Sequence, residues 1–234
     1  MSSNSLFFTL VILDVAFVLL CFRLGKHALF TAVIANIMFT NMVSSKIVTI
    51  FGLDSTVANV FYAAIFLATD VLNEYYGRRT ARTAVWMGFL ALVPIVVFAP
   101  FVRQFAPVPF SVESSKAIDV LFALTPRISA ASLIAYLASN LFDVWSFKQI
   151  RNKLPDRKWL WLRKNGSTFM SQGVDQLVFV TLAFSFVVPW DVYWNMMLSG
   201  YIIKVVVATL ETPLVYMASW IGLPKDRPAD PASE

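Results

Sequence analysis

The chain has 234 residues, of which 58% are hydrophobic and 14% are charged. Ordinary globular domains contain roughly 45–50% apolar and about 25% charged residues, so a soluble fold could not cover its surface with so few charges. The composition excludes a cytosolic enzyme, a secreted disulfide scaffold and a disordered tail, and it predicts an all-α helical membrane bundle. With a single cysteine and a single histidine, we expect no disulfide within the chain, no metal site and no cofactor.

Seven apolar segments follow one another along the chain. A bilayer core about 30 Å thick requires about 20 apolar residues in a helix, and the segments approach or reach this length. We therefore predict seven spans: Leu6–Phe22, Leu29–Ile50, Ala58–Asn73, Ala84–Val102, Arg127–Phe147, Ser167–Val188 and Met196–Trp220. The longest connection, Arg103–Pro126, is too short for a soluble domain, so we expect a single membrane domain over residues 1–234.

The basic residues are distributed unevenly over the predicted loops. Two lie on one side of the membrane, Arg103 and Lys116, whereas fourteen lie on the other: Arg23, Lys26, Arg78, Arg79, Arg82, Lys148, Arg151, Lys153, Arg157, Lys158, Arg163, Lys164, Lys225 and Arg227. Cytoplasmic loops carry an excess of Lys and Arg, so the pattern predicts an external N-terminus and a cytoplasmic C-terminus. It also explains the net charge of +5 without nucleic-acid binding. The loop Lys148–Gly166 mixes bases with tryptophans and is expected at the headgroups of anionic lipid.

Ionisable side chains are frequent in the predicted spans. Each costs roughly 2.5–3.5 kcal/mol on insertion scales and usually faces a cavity or a partner. Nine such residues lie in the spans or at their ends: Asp14, Lys46, Asp70, Glu74, Arg127, Asp143, Asp175, Lys204 and Glu211. Residues three, four or seven apart share a helix face, and this spacing gives five helices a polar stripe. We expect one shared interior site, whereas structural pairing of these groups is the alternative for any single residue.

The segment from Phe66 to Arg82 resembles the signature of the queuosine precursor transporter family, also called the vitamin uptake transporter family. That signature has an acid pair four residues apart, here Asp70 and Glu74, followed by an aromatic-Gly step and a basic Ala-Arg step. Weaker similarities extend the resemblance over about residues 29–217. Many members have a six-helix core, which implies an extra N-terminal helix and loop over 1–28, a core over 29–220 and a cytoplasmic tail over 221–234.

The resemblance implies uptake of 7-deazaguanine bases, the cyano and aminomethyl precursors or queuine, for queuosine modification of tRNA. It places the protein in the bacterial cytoplasmic (inner) membrane without an ATPase partner. A small planar base offers a ring N–H and an exocyclic amine to a carboxylate and a flat face to aromatic rings. The candidate substrate-binding residues are Asn41, Lys46, Phe66, Asp70, Glu74, Arg127, Tyr136, Asn140, Asp143, Gln172, Asp175, Lys204 and Glu211.

Other classes of function stay open at this point. The first alternative is the substrate-binding subunit of an energy-coupling-factor type vitamin transporter, in which transport requires a partner. An intramembrane enzyme is disfavoured because the chain has no HExxH, GxSxG or DDxxD motif, and an ion channel is disfavoured because the charges in the spans have mixed signs. The expected partners are the small planar base and the lipid bilayer. The sequence also allows a homodimer.

Overall fold

The computed structural model describes residues 3–43, 46–51, 53–122 and 126–218. In this part of the chain, eight α-helices are accompanied by a short hairpin and two 3-10 turns. The helices are α1 (Ser3–Leu24), α2 (Lys26–Val43), α3 (Ala58–Tyr76), α4 (Arg78–Val102), α5 (Val112–Leu121), α6 (Pro126–Lys153), α7 (Leu160–Phe184) and α8 (Trp190–Ala218). The hairpin consists of β1 (Ile47–Ile50) and β2 (Leu53–Thr56). The 3-10 turns are Pro109–Ser111 and Arg157–Trp159.

The seven long helices run alternately between two ends of the molecule. At the hairpin end lie β1, β2 and α5, and the backbone N–H of Phe51 donates to the side chain of Asn4 at 3.0 Å. At the opposite end, which we call the turn end, tight connections join α1 to α2, α3 to α4 and α6 to α7. The α3–α4 connection is the single residue Gly77, whose φ of 86° is a conformation that glycine adopts without steric cost.

Helix α3 is the central helix, because 15 of its 19 residues are buried. It contacts α1, α2, α4, α6 and α8, and the largest helix–helix contact of the bundle joins α6 to α7. Small residues such as Ala63, Ala64 and Ala68 are almost inaccessible on α3, and small side chains let helices approach closely in a membrane protein. The polar residues of α3 therefore lie at the centre of the bundle.

The outer faces of the bundle are apolar. Helix α4 buries only five of its 25 residues, and Leu90, Phe98 and Phe101 are each more than 60% exposed. Among the described residues, α1, α4 and the segment Trp190–Leu210 are long and apolar enough to cross a membrane. Exposed apolar surface of this extent marks a membrane or protein contact, and the fold is that of an all-α helical membrane protein.

Two predictions from the sequence are corrected by the fold. The second predicted span does not continue to Ile50, because α2 ends at Val43 and Ile47–Ile50 pairs with Leu53–Thr56 in the hairpin. The segment Lys148–Gly166 is largely helical rather than a loop, because α6 extends to Lys153 and α7 begins at Leu160. Arg163 and Lys164 are only 0% and 1% exposed. The prediction failed because these two bases belong to a face of α7 that is directed into the protein, although they follow a stretch of exposed bases in the sequence.

A close approach between α4 and α6 gives a stability prediction. The hydroxyl of Tyr136 donates to the carbonyl of Val85 at 3.2 Å, and a Cβ added at Gly88 would collide with the Tyr136 ring and hydroxyl. We expect Gly88→Ala to destabilise the protein by about 1–3 kcal/mol, as overpacking does in tight cores, measured by thermal unfolding in detergent.

Gly166→Ala is the matched control for this substitution. Its added methyl group would lie 3.4 Å from Ile150 Cδ1, an ordinary contact, and alanine favours a helix over glycine by about 0.8–1 kcal/mol. Equal unfolding temperatures for the two variants would contradict the close α4–α6 packing.

Candidate functional site

Asp175 is the meeting point of four helices. Its Oδ1 accepts hydrogen bonds from the Tyr62 hydroxyl at 2.5 Å and from the Ser139 hydroxyl at 3.1 Å. Its Oδ2 accepts from the Lys204 ammonium at 2.5 Å. The carboxylate on α7 is thus bound by residues of α3, α6 and α8. We call Tyr62, Ser139, Asp175 and Lys204 the hairpin-side layer, because it lies toward the end of the bundle that carries the hairpin.

Aromatic rings accompany the hairpin-side layer. The Lys204 ammonium lies 5.3 Å from the centre of the Tyr62 ring, within the range of a cation–π interaction. Tyr62 packs edge to face on Phe66 with 5.5 Å between ring centres. Phe66 and Tyr136 are both buried, so the planar surfaces predicted for base stacking lie inside the protein.

One helical turn closer to the turn end, two carboxyl groups lie inside the bundle. Asp70 and Asp143 are 2% and 0% exposed, and their carboxyl groups are close enough to interact. Thr168 donates to Asp70 Oδ2 at 3.2 Å, and Ser171 donates to Asp143 Oδ1 at 2.8 Å. The second oxygen of each carboxyl group, Asp70 Oδ1 and Asp143 Oδ2, is bonded by no hydroxyl, amide or basic group among the described residues, and the two carboxyl groups are hydrogen-bonded to each other.

Two buried amides at the same depth are also incompletely bonded. Asn140 donates to the Tyr136 carbonyl at 2.9 Å, but within the described part of the chain its Oδ1 has no partner, and neither Nε2 nor Oε1 of Gln172 has one. Both residues are fully buried. We call Asp70, Asn140, Asp143, Thr168, Ser171 and Gln172 the polar column. An unsatisfied buried polar group costs about 1–3 kcal/mol, so this concentration of them is typical of a binding site.

The polar column ends toward the turn end at an ion-pair layer around Glu74. The Arg163 guanidinium donates to Glu74 Oε1 at 2.7 Å, and Arg151 Nε lies 3.8 Å from Glu74 Oε2. Arg163 also donates to the carbonyls of Leu154, Pro155 and Asp156. Arg151, Arg163 and Glu74 form the turn-side layer, which ties α3 to the α6–α7 connection. The Glu74 carboxylate is therefore already engaged by two arginines.

Four predicted site residues lie elsewhere or outside the described side chains. Asn41 lines a separate cavity between α2, α4, α5 and α6 that also includes Ser132. Lys46 is exposed beside the hairpin, and Arg127 donates to the carbonyls of Leu182 and Ser185 at the end of α7. Helix α8 includes Glu211, but its side chain is outside the described ones. The structure thus brings together Phe66, Asp70, Glu74, Tyr136, Asn140, Asp143, Gln172, Asp175 and Lys204.

The predicted site omitted four residues of the two layers, Tyr62, Ser139, Arg151 and Arg163, and also the neighbouring Lys164. Tyr62 lies one helical turn before Phe66 and therefore shares a helix face with it. This spacing could have identified Tyr62 from the sequence, although the start of α3 is otherwise apolar. Arg163 and Lys164 were counted as loop bases, although Lys164 is four residues before Thr168 and continues its stripe. Ser139 lies three residues after Tyr136 and four before Asp143, on the same helix face as these two predicted site residues, but was not itself predicted. The Lys164 ammonium donates to the Ala208 carbonyl at 2.5 Å, which joins α7 to α8.

The Asp175–Lys204 pair provides a test of the hairpin-side layer. Removing one partner of a buried ion pair typically costs about 3–5 kcal/mol, because the other charge stays buried without compensation. We expect Asp175→Asn and Lys204→Met each to lower thermal stability strongly, and the double variant to lose less than the sum of the two.

Arg103→Ala serves as the control for that cycle. Arg103 pairs with Asp119 at 3.3 Å, but the two side chains are 38% and 42% exposed, and exposed pairs contribute about 0–1 kcal/mol. Strict additivity of the Asp175 and Lys204 effects would show that the two groups are not coupled.

Comparison with known proteins places this arrangement in a family. The family model described as "Putative vitamin uptake transporter" matches residues 56–218, a range that contains both layers and the polar column. No solved structure matches the chain.

Three curated relatives extend the comparison. A "Probable queuosine precursor transporter" of Bacillus subtilis is 37% identical over 219 residues, which cover 93% of this chain and 95% of that protein. The "Queuosine precursor transporter" of Escherichia coli is 28% identical over 58% of each chain. A relative from Haemophilus influenzae with the same description as the Bacillus protein is 29% identical over 57% of this chain and 54% of its own. These descriptions name transporters rather than enzymes, and the chain belongs to the vitamin uptake transporter family.

Proposed function

We propose that the protein imports queuosine precursors, small planar 7-deazaguanine bases, and binds them in the polar column. The observation that carries the proposal is that the buried amides of Asn140 and Gln172 have polar atoms without a partner among the described residues, directly beside the buried Asp70–Asp143 carboxyl pair. Carboxylate oxygens accept the ring N–H and the exocyclic amine of a guanine-like edge, and the amides complement its acceptor atoms. The names of the relatives support the same substrate class.

The two ion-pair layers suggest how the site alternates between the two sides of the membrane. The hairpin-side layer closes the polar column toward one end through Asp175 and Lys204, and the turn-side layer closes it toward the other through Glu74 and Arg163. Each layer joins residues of different helices, so a relative movement of the helices opens one layer while the other stays closed. In this mechanism the layers are gates and the column is the substrate site.

For the membrane arrangement we propose seven spans, formed by α1 to α4 and α6 to α8, in the bacterial inner membrane. Helix α1 is the addition to a six-helix core, and the hairpin end faces outward. This orientation is supported by the bases near the turn end, which exceed those near the hairpin end even without the buried Arg163 and Lys164. The other partners proposed are the lipid bilayer and a second copy of the chain in a homodimer, with neither nucleic acid nor an ATPase required.

Uptake into bacteria that cannot synthesise 7-deazaguanines tests the proposed function. We expect cells that produce the protein to accumulate labelled base, and Asp70→Ala to reduce the initial rate at least about tenfold, because a charge-assisted hydrogen bond contributes about 1.5–3 kcal/mol. Asp119→Asn is the control, since Asp119 is exposed on α5.

Membrane amounts of both variants are matched before rates are compared. Accumulation that is equal with and without the protein would overturn the proposal. Uptake by the purified protein in liposomes would exclude an obligatory ATPase partner and with it the energy-coupled binding subunit.

Single cysteines test the proposed orientation. Cys21 is buried in α1 and is replaced by alanine to give a background without thiols. In that background we expect Lys116→Cys, on α5, to react with a membrane-impermeant maleimide in intact cells. Lys153→Cys, at the end of α6, is expected to react only after permeabilisation. Both positions are exposed, so the reverse pattern would invert the proposed topology.

A further inference from the structure

Helix α1 carries a buried acid that neither the layers nor the polar column uses. Asp14 precedes Arg23 as the other charged residue of this helix and is 7% exposed. Its carboxyl group accepts a hydrogen bond from the amide of Asn36 on α2, which is 4% exposed. Beyond this contact, neither Asp14 Oδ2 nor Asn36 Nδ2 has a partner among the described residues. Asp14 and Asn36 form a second buried polar site, which we call the α1–α2 site.

The α1–α2 site lies at about the depth of the polar column. The ring of Phe22 on α1 packs against the ring of Tyr75 on α3 with 4.8 Å between the ring centres, and the two helices run in the same direction. Asp14 and Leu67 each precede these rings by eight residues, which is about 12 Å along a helix. Asp14 is therefore level with the part of α3 that precedes Asp70. Helix α3 contacts both α1 and α6 and so connects the two sites.

No basic group within the described residues compensates the carboxyl group of Asp14. Helix α1 packs against α2, α3, α8 and β1, and β1 has no ionisable residue. The described ionisable side chains of α1 and of the three helices make neither an ion pair nor a hydrogen bond with Asp14: Cys21, Arg23, Lys26, His27, Tyr62, Asp70, Glu74, Tyr75, Tyr76, Asp191, Tyr193, Tyr201 and Lys204. A buried carboxylate without a counter-charge is costly, so Asp14 holds a proton while it is enclosed and loses it when water reaches it.

The surroundings of the α1–α2 site differ between the two ends of the bundle. One turn from Asn36 toward the hairpin end, the buried hydroxyl of Thr40 has no partner in the described part of the chain. One turn toward the turn end, the same helix faces carry Val18 on α1 and Ala32 on α2, which are both 0% exposed. Polar groups therefore continue from Asp14 toward the hairpin end, whereas apolar packing separates it from the turn end.

We propose that Asp14 is the proton site that couples import to a proton gradient, with one proton moving inward with each base. The inference rests on the proposed function and specifies its driving force, since a transporter without an ATPase needs an ion gradient to concentrate its substrate. The O–H bond of the carboxyl group forms with a proton from water on the hairpin side and breaks to water on the turn side. A metal cation is coordinated by several oxygen atoms, whereas Asn36 presents an N–H donor to Asp14.

Helix α3 provides the coupling between proton and base. It contributes Tyr62 to the hairpin-side layer and Glu74 to the turn-side layer. A movement of α3 that opens one layer therefore also changes its packing against α1, and with it the side from which water reaches Asp14. Binding and release of the proton then follow the same movement as binding and release of the base.

Accumulation by the purified protein in proteoliposomes tests the inference. The probe is the labelled cyano base, because it is uncharged, and the membrane potential is clamped to zero. With a lumen about one pH unit more alkaline than the medium, we expect wild type to accumulate the base about tenfold, the equivalent of one proton per base. Without a pH gradient, adding the base outside is expected to acidify the lumen, as reported by a trapped pH dye.

Asp14→Asn separates proton coupling from transport of the base. Asparagine keeps a polar contact with Asn36 but carries no exchangeable acid proton, so we expect no accumulation under the pH gradient. Exchange of labelled base outside for unlabelled base inside needs no net proton movement, and we expect it to stay within about twofold of wild type. Asp14→Ser gives the same test if the amide prevents folding. Asp119→Asn, the same chemical change at an exposed position of α5, is the control and is expected to accumulate the base as wild type does.

The possible failures of inference and function are distinguishable. If wild type exchanges the base but does not accumulate it under the pH gradient, or accumulates it only under a sodium gradient, the inference fails and the proposed function stands. Unchanged accumulation in Asp14→Asn also rejects the inference, as does loss of exchange together with accumulation in a folded variant, which would indicate a structural role. If wild type transports no base in either assay, the proposed function itself is rejected.

Discussion

The structure depends on one constraint: a charged side chain inside a membrane protein must find its partner within the protein, because lipid tails provide none. Asp175 satisfies this constraint with donors from three other helices, and Glu74 does so with two arginines. These contacts join residues that are between 29 and 113 positions apart in the chain. The helices are therefore arranged as much by where their charges must meet as by their apolar surfaces.

The polar column differs from the two layers in the partners of its carboxyl groups, although the turn-side layer also contains two buried atoms without a hydrogen bond among the described residues, Glu74 Oε2 and Arg163 Nε. In the layers, each carboxylate has a basic partner at hydrogen-bond or ion-pair distance. In the column, Asp70 and Asp143 are hydrogen-bonded to each other rather than to a base, and Gln172 has no partner for either polar atom within the described part of the chain. Satisfied networks make a bundle rigid, whereas unsatisfied buried groups need a further partner. This contrast separates residues that hold the helices together from residues that are available to a ligand.

Helix α3 connects these regions to the rest of the molecule. From Tyr62 to Glu74 it contributes a residue to each layer and one carboxylate to the column, while its alanines allow close packing against the surrounding helices. Its neighbours α1 and α2 lie entirely before the matched family region of residues 56–218. They surround α3 on the side away from α7 and so form a support for the helix that carries the site.

Composition and periodicity determined the helical membrane class, most of the helix positions and the polar stripes that contain Asp70, Asn140, Asp143, Gln172 and Asp175, because a period of 3.6 residues fixes which residues share a face. Periodicity gives no information on which faces meet. The tertiary structure alone decided that Glu74 is bound by Arg163 rather than left free, that Arg127 binds the end of α7 and that Lys46 lies outside the bundle. Such pairings follow from the rotation and depth of each helix, which are set by packing over the whole bundle and not by local sequence.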